Sequence, residues 1–550
     1  MKDGFRQSMA WLHTWTGLVV GWVLYFVFVT GTAGYFHHEI TRWMQPERPL
    51  VQSQALGLDE SGVAVEHALT RLEQLAPVAA SWRITLPQLA PASRTWQELA
   101  IRWEDMPQPG HDWGATGNEQ LNAQTGAVLP AEAEPRATSG GRGLYRMHYV
   151  LHYMSFDWGI RIVGVCTMLM LLAMVTGVIA HKKIFTDFFT FRPGKGQRSW
   201  LDAHNAVSVM ALPFLLMITY SGLVFFLFTY MPAGRDLLYG SGQDGRTAFA
   251  DALHEHGEHN HAPIGRPLAP LAPMLAAAEN TWGPGKLSSI TIERHEGEPP
   301  EIVLARQQQG LDFWNTPKLR FHAETGEPLP EEPTPGGSAV TTQSVMLNLH
   351  EGLFADTGGR WLYFVSGLLG CAMIGTGLVL WTVKRRKRQG EGAHFGLRLV
   401  EALNVATVAG LPLAVATYFW ANRLLPVELA DRAAWEFHTL FAVWLGTLFY
   451  GLARPLPRAW IELLWASCAA YALLPLINAL TTDRHLGVTL AQRDWQLAGF
   501  DLTVLGLGAI FAIMARKVTR RVGKAATQPP AETNRQPAPP AAAANRGGAA

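Results

Sequence analysis

Eight apolar blocks of about 20 residues dominate this chain, each long enough to cross a bilayer as a helix. They run at roughly 12–36, 158–180, 206–230, 361–383, 397–420, 435–453, 459–480 and 496–515. Backbone groups in lipid must bond within the protein, so segments of this length are confined to helices. Charged residues make up 16% of the 550 positions, against about 25% in soluble proteins. The deficit fits lipid-facing surface. The first block follows Lys2 and Arg6 but is too long for a signal peptide. It ends in Gly34-Tyr35-Phe36-His37-His38, without a small-residue cleavage site, and reads as a retained helix. A net charge of +1 argues against nucleic acid as a partner. Cys166, Cys371 and Cys468 all fall inside apolar blocks, which excludes a disulfide scaffold, a thiolate metal cluster and CxxCH haem attachment.

Orientation follows from Lys and Arg in the short loops. Lys182, Lys183, Arg192, Lys195 and Arg198 follow the second block, and a run from Lys384 to Arg388 follows the fourth. Arg454 and Arg458 follow the sixth, and Arg516, Lys517, Arg520, Arg521 and Lys524 follow the eighth. Both termini of this multi-pass protein are therefore expected in the cytoplasm, with the two large loops on the outer side.

Those two loops resemble each other. Leu121-Asn122-Ala123-Gln124-Thr125-Gly126 matches Phe321-His322-Ala323-Glu324-Thr325-Gly326, and each Thr-Gly reads as a hairpin turn. Alternating runs at 81–86 and 288–293 read as strands, so each loop is a small α+β module. The helices repeat too. Thr176-Gly177 matches Thr376-Gly377, and His13 and His204 each stand 18 residues before Gly31 and Gly222, respectively. The expected organisation is a membrane α-helical bundle with two periplasmic α+β modules. Helix 1 occupies 1–39, module 1 40–147, helix 2 148–183, a cytoplasmic loop 184–203 and helix 3 204–230. Module 2 occupies 231–348, helix 4 349–388, an appended four-helix unit 389–524 and a disordered tail 525–550.

Histidines at the edges of apolar blocks carry the functional signal, because imidazole in a membrane is costly without a partner. His13 and His204 start helices on the cytoplasmic side. His152 and His350, each preceded by Leu, are expected to start helices on the periplasmic side. Two imidazoles from facing helices can clamp one haem non-covalently. The expected pairs are His13 with His204 and His152 with His350. Rivals stand nearby: His181 on the cytoplasmic side, and His148 and His38 on the other. His148 and His152, four residues apart, share a face if the helix is continuous.

Together, the Leu-His starts, the Thr-Gly pairs, the (Asn/His)-Ala-x-Thr-Gly turns and Ser199-Trp200-Leu201-Asp202-Ala203-His204-Asn205 resemble the PepSY-associated transmembrane helix family over roughly residues 5–388. Within it, the chain is similar to the inner-membrane ferric-siderophore reductases of the FoxB type. The resemblance implies two b-type haems, with His13, His152, His204 and His350 as ligands. It further implies electrons passing outward to a periplasmic ferric siderophore and release of Fe(II). The four-helix extension departs from the shorter members.

No GxGxxG fingerprint follows a strand and no cytoplasmic segment is large enough for a flavin or nicotinamide domain. Electrons are then expected from quinol or a separate flavoprotein. The tract from 254 to 261, with His254, His256, His259 and His261, could bind a divalent metal weakly, although a solvated loop is the favoured reading. Glu436, His438, Glu462 and Asp501 in the extension suit either proton chemistry or interhelical bonding. Two other functions compete: a non-enzymatic regulator whose modules bind peptide, and a siderophore or metal permease.

Overall fold

Long helices form where the apolar blocks stand, and the polar segments between them build a six-stranded sheet and a small two-stranded one, Gln88–Leu89 with Trp96–Gln97. The computed structural model describes residues 3–48, 56–89, 96–107, 114–130, 135–181, 183–254, 262–264, 268–294, 299–308, 316–330, 337–389 and 394–527. The first half runs α1 (Asp3–Gly34), α2 (His37–Met44), α3 (Leu58–Leu75), β1 (Ala79–Thr85), β2 (Leu99–Asp105), β3 (Thr116–Leu121), α4 (Gly140–Tyr149) and α5 (Phe156–Ala180). A second half follows with α6 (Gln197–Phe225), α7 (Ala272–Trp282), β4 (Leu287–Glu293), β5 (Glu301–Arg306), β6 (Lys318–His322), α8 (Gly337–Glu351) and α9 (Thr357–Gln389). The carboxy-terminal unit adds α10 (Phe395–Val405), a π-helical turn (Ala406–Gly410), α11 (Leu411–Leu424), α12 (Arg432–Ala453), α13 (Leu456–Ala472), α14 (Leu474–Thr481) and α15 (Trp495–Thr527).

Among the described residues, seven helical segments are long and apolar enough to cross a membrane: Gly4–Gly34, Phe156–Ala180, Gln197–Phe225, Thr357–Arg386, Phe395–Leu424, Leu456–Thr481 and Trp495–Gly523. The expected block 435–453 falls in α12, whose first two turns carry Arg432, Glu436 and His438 and dilute its apolarity. α12 lies antiparallel to α10 and α11. Arg398 of α10 donates to the Gly451 and Leu452 carbonyls at one end, and Asn422 of α11 donates to Glu436 at the other.

Two membrane helices start later than their expected positions of 148 and 349. α4 ends at Tyr149 and α5 starts at Phe156; α8 ends at Glu351 and α9 starts at Thr357. The helix is interrupted between them, with Tyr153 (φ +64°) and Gly352 (φ +63°) in the two breaks. A long apolar run does not reveal such a break, because the turn residues Leu151 and Met154 are themselves apolar.

The six strands form one antiparallel sheet in the order β3-β2-β1-β4-β5-β6. β1 and β4 meet at its centre, Trp82 opposite Ile292 and Ile84 opposite Ile290. Strand alternation puts Trp82, Ile84, Ile101, Ile290, Ile292 and Leu304 in one core, which α3 and α7 also enter. The two expected modules thus supply three strands each to a shared sheet, and pairing β1 with β4 removes an edge from both. The Thr-Gly turns are built alike. Gly126 (φ +68°) and Gly326 (φ +78°) donate back to the Asn122 and His322 carbonyls at 2.8 and 2.9 Å.

Beneath the sheet, α1, α5, α6 and α9 form a four-helix bundle in which α1 lies against α5 and α9, and α6 against both as well. The carboxy-terminal unit rests on α1. Trp22 donates to Asn404 (2.9 Å), which donates to the Leu378 carbonyl (2.9 Å), and Phe26 stacks on Trp444 at 5.3 Å. The π-turn belongs to this seam. Pro412 brings no N–H to the Val408 carbonyl, which accepts from the Tyr25 hydroxyl at 3.5 Å.

Candidate functional site

Four histidines from four helices come together as two pairs, one at each end of the bundle. At the basic end, His13 of α1 faces His204 of α6 with ring centres 6.3 Å apart. At the sheet end, His148 of α4 faces His350 of α8 at 5.9 Å. His148 therefore stands where His152 was expected. The break after Tyr149 is the reason: it places His152 in the turn, with its ring 5.2 Å from Phe441 and nearly parallel to it. The shared Leu-His dipeptide aligned the wrong residue. His148 and His350 both occupy the last turns of the short helices that precede α5 and α9.

All four rings are held the same way. His13 Nδ1 lies 2.8 Å from the Ala173 carbonyl, His204 Nδ1 3.0 Å from that of Met373, and His148 Nδ1 2.8 Å from that of Val27. His350 bonds the Ile218 backbone and lies 3.0 Å from Ser221 Oγ. Each acceptor stands four residues before a glycine, respectively Gly177, Gly377, Gly31 and Gly222. The residue before that glycine is Thr or Ser, and its hydroxyl donates to the same carbonyl: Thr176 to Ala173, Thr376 to Met373, Thr30 to Val27 and Ser221 to Ile218. The glycine makes room for the ring. A Cβ at Gly31 would stand 2.4 Å from His148 Nδ1; at Gly222, Gly177 and Gly377 it would stand 2.7, 2.9 and 3.1 Å from the Cε1 of the ring it faces.

This build suits ligation. A ring nitrogen donating to a carbonyl leaves the other nitrogen as the free base that binds metal. At the sheet end, burial holds the rings neutral. It lowers His148, and burial together with the neighbouring His148 pushes His350 down to about 3. Two metal–nitrogen bonds of about 2 Å, each with about 1.1 Å from nitrogen to ring centre, place two imidazoles roughly 6 Å apart. Both pairs stand near that separation. Among the described residues, no group of three or more His, Cys, Asp and Glu could hold a metal, so two imidazoles would need a ligand that completes the metal's coordination. A cavity of about 650 Å³ surrounds His13 and His204, within the roughly 300–1,000 Å³ of cofactor sites. Gly17 and Gly21 line it, and Arg6, Lys183, Lys384 and Arg385 also border it. Those cations suit the carboxylates of an anionic ligand.

The rival histidines lack this ring-holding arrangement. His181 borders the same cavity with its Nε2 2.7 Å from the Asn205 amide and its buried Nδ1 without a hydrogen-bond partner. His38 is the second residue of α2, its ring against that of His37 at 3.7 Å. The side chains of the tract with His254, His256, His259 and His261 lie outside the described residues. The four polar residues singled out in the extension each have a partner. Glu436 accepts from Arg432, Asn422 and Thr138; Asp501 accepts from Trp43 and Asn478; Glu462 pairs with Arg454; and His438 meets the Tyr153 hydroxyl. They bond helices together. The sequence reading missed the use of the Thr/Ser-Gly pairs as ring holders. Their fixed spacing from the histidines was the available signal.

The family model for the PepSY-associated TM region matches residues 10–384, which include both pairs, their four ring-holding dipeptides and all six strands. The chain belongs to that family. In this PepSY-associated TM protein the match ends before α10, so the carboxy-terminal unit lies outside it. The chain is also similar to uncharacterized protein PA4219 of Pseudomonas aeruginosa. The two are 25% identical over 360 residues, covering 62% of this chain and 86% of the relative.

Proposed function

We propose that this membrane protein is a b-type dihaem oxidoreductase of the bacterial inner membrane that reduces a periplasmic ferric chelate, of the siderophore class, to Fe(II). One observation carries the reading: the same ring-holding device occurs four times and delivers one facing imidazole pair to each end of the bundle. A peptide-binding regulator or a permease gives no reason for that repetition. A haem held by two such imidazoles would supply a one-electron carrier.

The chain's own residues do the rest. Val27, Ala173, Ile218 and Met373 orient the rings through their carbonyls and keep the outward nitrogen unprotonated. On α1, His13 and the Val27–Gly31 segment that holds His148 are 14–18 residues apart, so the two levels are about 21–27 Å apart along the helix. That is most of a hydrocarbon core of about 30 Å. The basic loops put His13 and His204 on the cytoplasmic side, with both termini, and the sheet in the periplasm. This orientation needs α12 as an eighth crossing. Quinol or a separate flavoprotein supplies electrons.

The test is the absorption spectrum of protein purified from haem-replete cells. A dithionite-reduced α-band of b-type haem is expected, reoxidised by ferric chelate added outside proteoliposomes. A folded, colourless preparation would overturn the cofactor, and failure of the external chelate to reoxidise the protein would overturn the direction.

A further inference from the structure

A second and larger cavity, of about 1060 Å³, lies between α1, α9, α11 and α15. Neither histidine pair lines it. Much of its wall is apolar, with Val29, Leu368, Val415, Phe500, Leu507 and Phe511 among the lining residues. Gln88, Lys286 and Gln307 of the sheet segments close over one end. At that end the wall holds an ion pair, Glu39 of α2 with Arg360 of α9 at 2.7 Å, both nearly buried.

This polar end adjoins the His148–His350 pair. Arg360 donates to the Tyr35 carbonyl at 2.6 Å. The Tyr35 hydroxyl lies 3.4 Å from the His350 carbonyl. Its ring stands 5.1 Å from Tyr363, whose hydroxyl donates to the Leu349 carbonyl at 2.8 Å. An occupant at Arg360 is thus one residue from the wall of the second pair.

We infer that this cavity binds an isoprenoid quinol, its head at Glu39 and Arg360 and its tail between α11 and α15. The inference deepens the function proposed above by naming the electron donor, and it rests on that reading for the fate of the electrons. Three features select this class. The volume exceeds most single-cofactor pockets and is mainly apolar, which suits a long tail. The paired carboxylate and guanidinium offer one acceptor and one donor with no net charge, which suits a neutral head carrying hydroxyl and carbonyl oxygens. A phosphate head would instead have to share a guanidinium that Glu39 already neutralises. The site also sits beside a redox pair rather than at a distance from it. Oxidation of one quinol breaks two O–H bonds and yields the quinone, two electrons and two protons. The electrons leave on the side of the His148–His350 pair and end on two ferric ions of the chelate, giving two Fe(II). The protons leave at the polar end, where Glu39 is a carboxylate in the wall.

Gly499 provides the test. It lines this cavity, and a Cβ there would meet nothing within 4 Å. Gly499→Phe therefore fills the space without a backbone clash. Gly506, on the same helix, is equally open but does not line the cavity, so Gly506→Phe is the control. Decyl-ubiquinone binding is measured by calorimetry on the full-length protein in quinone-free phospholipid nanodiscs. The expected result is a Kd raised about tenfold or more in Gly499→Phe and unchanged in Gly506→Phe. Thr503→Phe, which also enters the cavity, replaces Gly499→Phe if that variant misfolds. Mass spectrometry of lipid extracts is expected to find quinone in the native protein and less in the filled variant. Absence of binding, equal Kd values in all variants, or phospholipid as the only extracted ligand overturns the site. The absorption spectrum of the same samples separates the two proposals. A colourless protein that keeps Gly499-dependent binding refutes the haem reading alone, and a pigmented protein that does not bind refutes the quinol site alone.

Discussion

Replacing Gly31 by Ala tests the histidine–glycine fit most directly. The new Cβ would stand 2.4 Å from His148 Nδ1 and 2.6 Å from its Cε1. Ordinary contact begins near 3.4 Å, so the ring must withdraw by about 1 Å (3.4 − 2.4). Its 2.8 Å bond to the Val27 carbonyl does not survive that shift. A buried polar group left unpaired costs about 1–3 kcal/mol. Alanine in place of glycine within a helix returns about 1 kcal/mol. The net loss is about 0–2 kcal/mol, so the protein should fold while the ring is misplaced. Losing such an orienting bond lowers metal affinity about 10–100-fold. At Gly377 the same change asks His204 Cε1 to yield only about 0.3 Å (3.4 − 3.1), which a side chain can absorb. Gly222→Ala and Gly177→Ala fall between, at 2.7 and 2.9 Å. The assay is haem per polypeptide by pyridine haemochrome, alongside thermal unfolding. Gly31→Ala should hold roughly half the native content under dilute conditions, and Gly377→Ala the full content. Full content in Gly31→Ala with loss in Gly377→Ala would reverse the order set by the distances and refute the reasoning.

Three further outcomes follow from the geometry. His148→Ala and His350→Ala should each remove the same half of the reduced α-band, His13→Ala and His204→Ala the other half, and His152→Ala neither; difference spectra of the purified variants check this. Arg432→Met strands the fully buried Glu436 and should destabilise by about 3–5 kcal/mol, while Arg432→Met with Glu436→Leu should recover most of the loss in thermal unfolding. Asn404→Leu breaks the bridge from Trp22 to the Leu378 carbonyl and should cost about 1–3 kcal/mol, read as earlier melting of the carboxy-terminal unit by hydrogen exchange.

Much of this architecture was legible because lipid leaves a chain few options. Seven of eight apolar blocks correspond to helices long and apolar enough to cross, and the matched Thr-Gly turns fold alike in both halves. The pair His13 and His204 was readable because both residues lie inside uninterrupted helices, α1 and α6. The second pair was not. Helical spacing says which face a residue occupies only while the helix continues, and the break at 150–155 resets that face.

The sequence by itself determined a membrane bundle, its internal duplication, and the presence of histidines near both of its ends. Hydrophobic length and residue spacing are local properties, so they can be read along the chain. Only the tertiary structure decided that His148 rather than His152 meets His350, that two sets of three strands close into one sheet, and that a Thr/Ser-Gly pair on a neighbouring helix holds each ring. It also decided that a large cavity opens between the bundle and its carboxy-terminal unit. These depend on which backbone carbonyl and which missing Cβ stand opposite a side chain, and that is set by helices separated by more than a hundred residues.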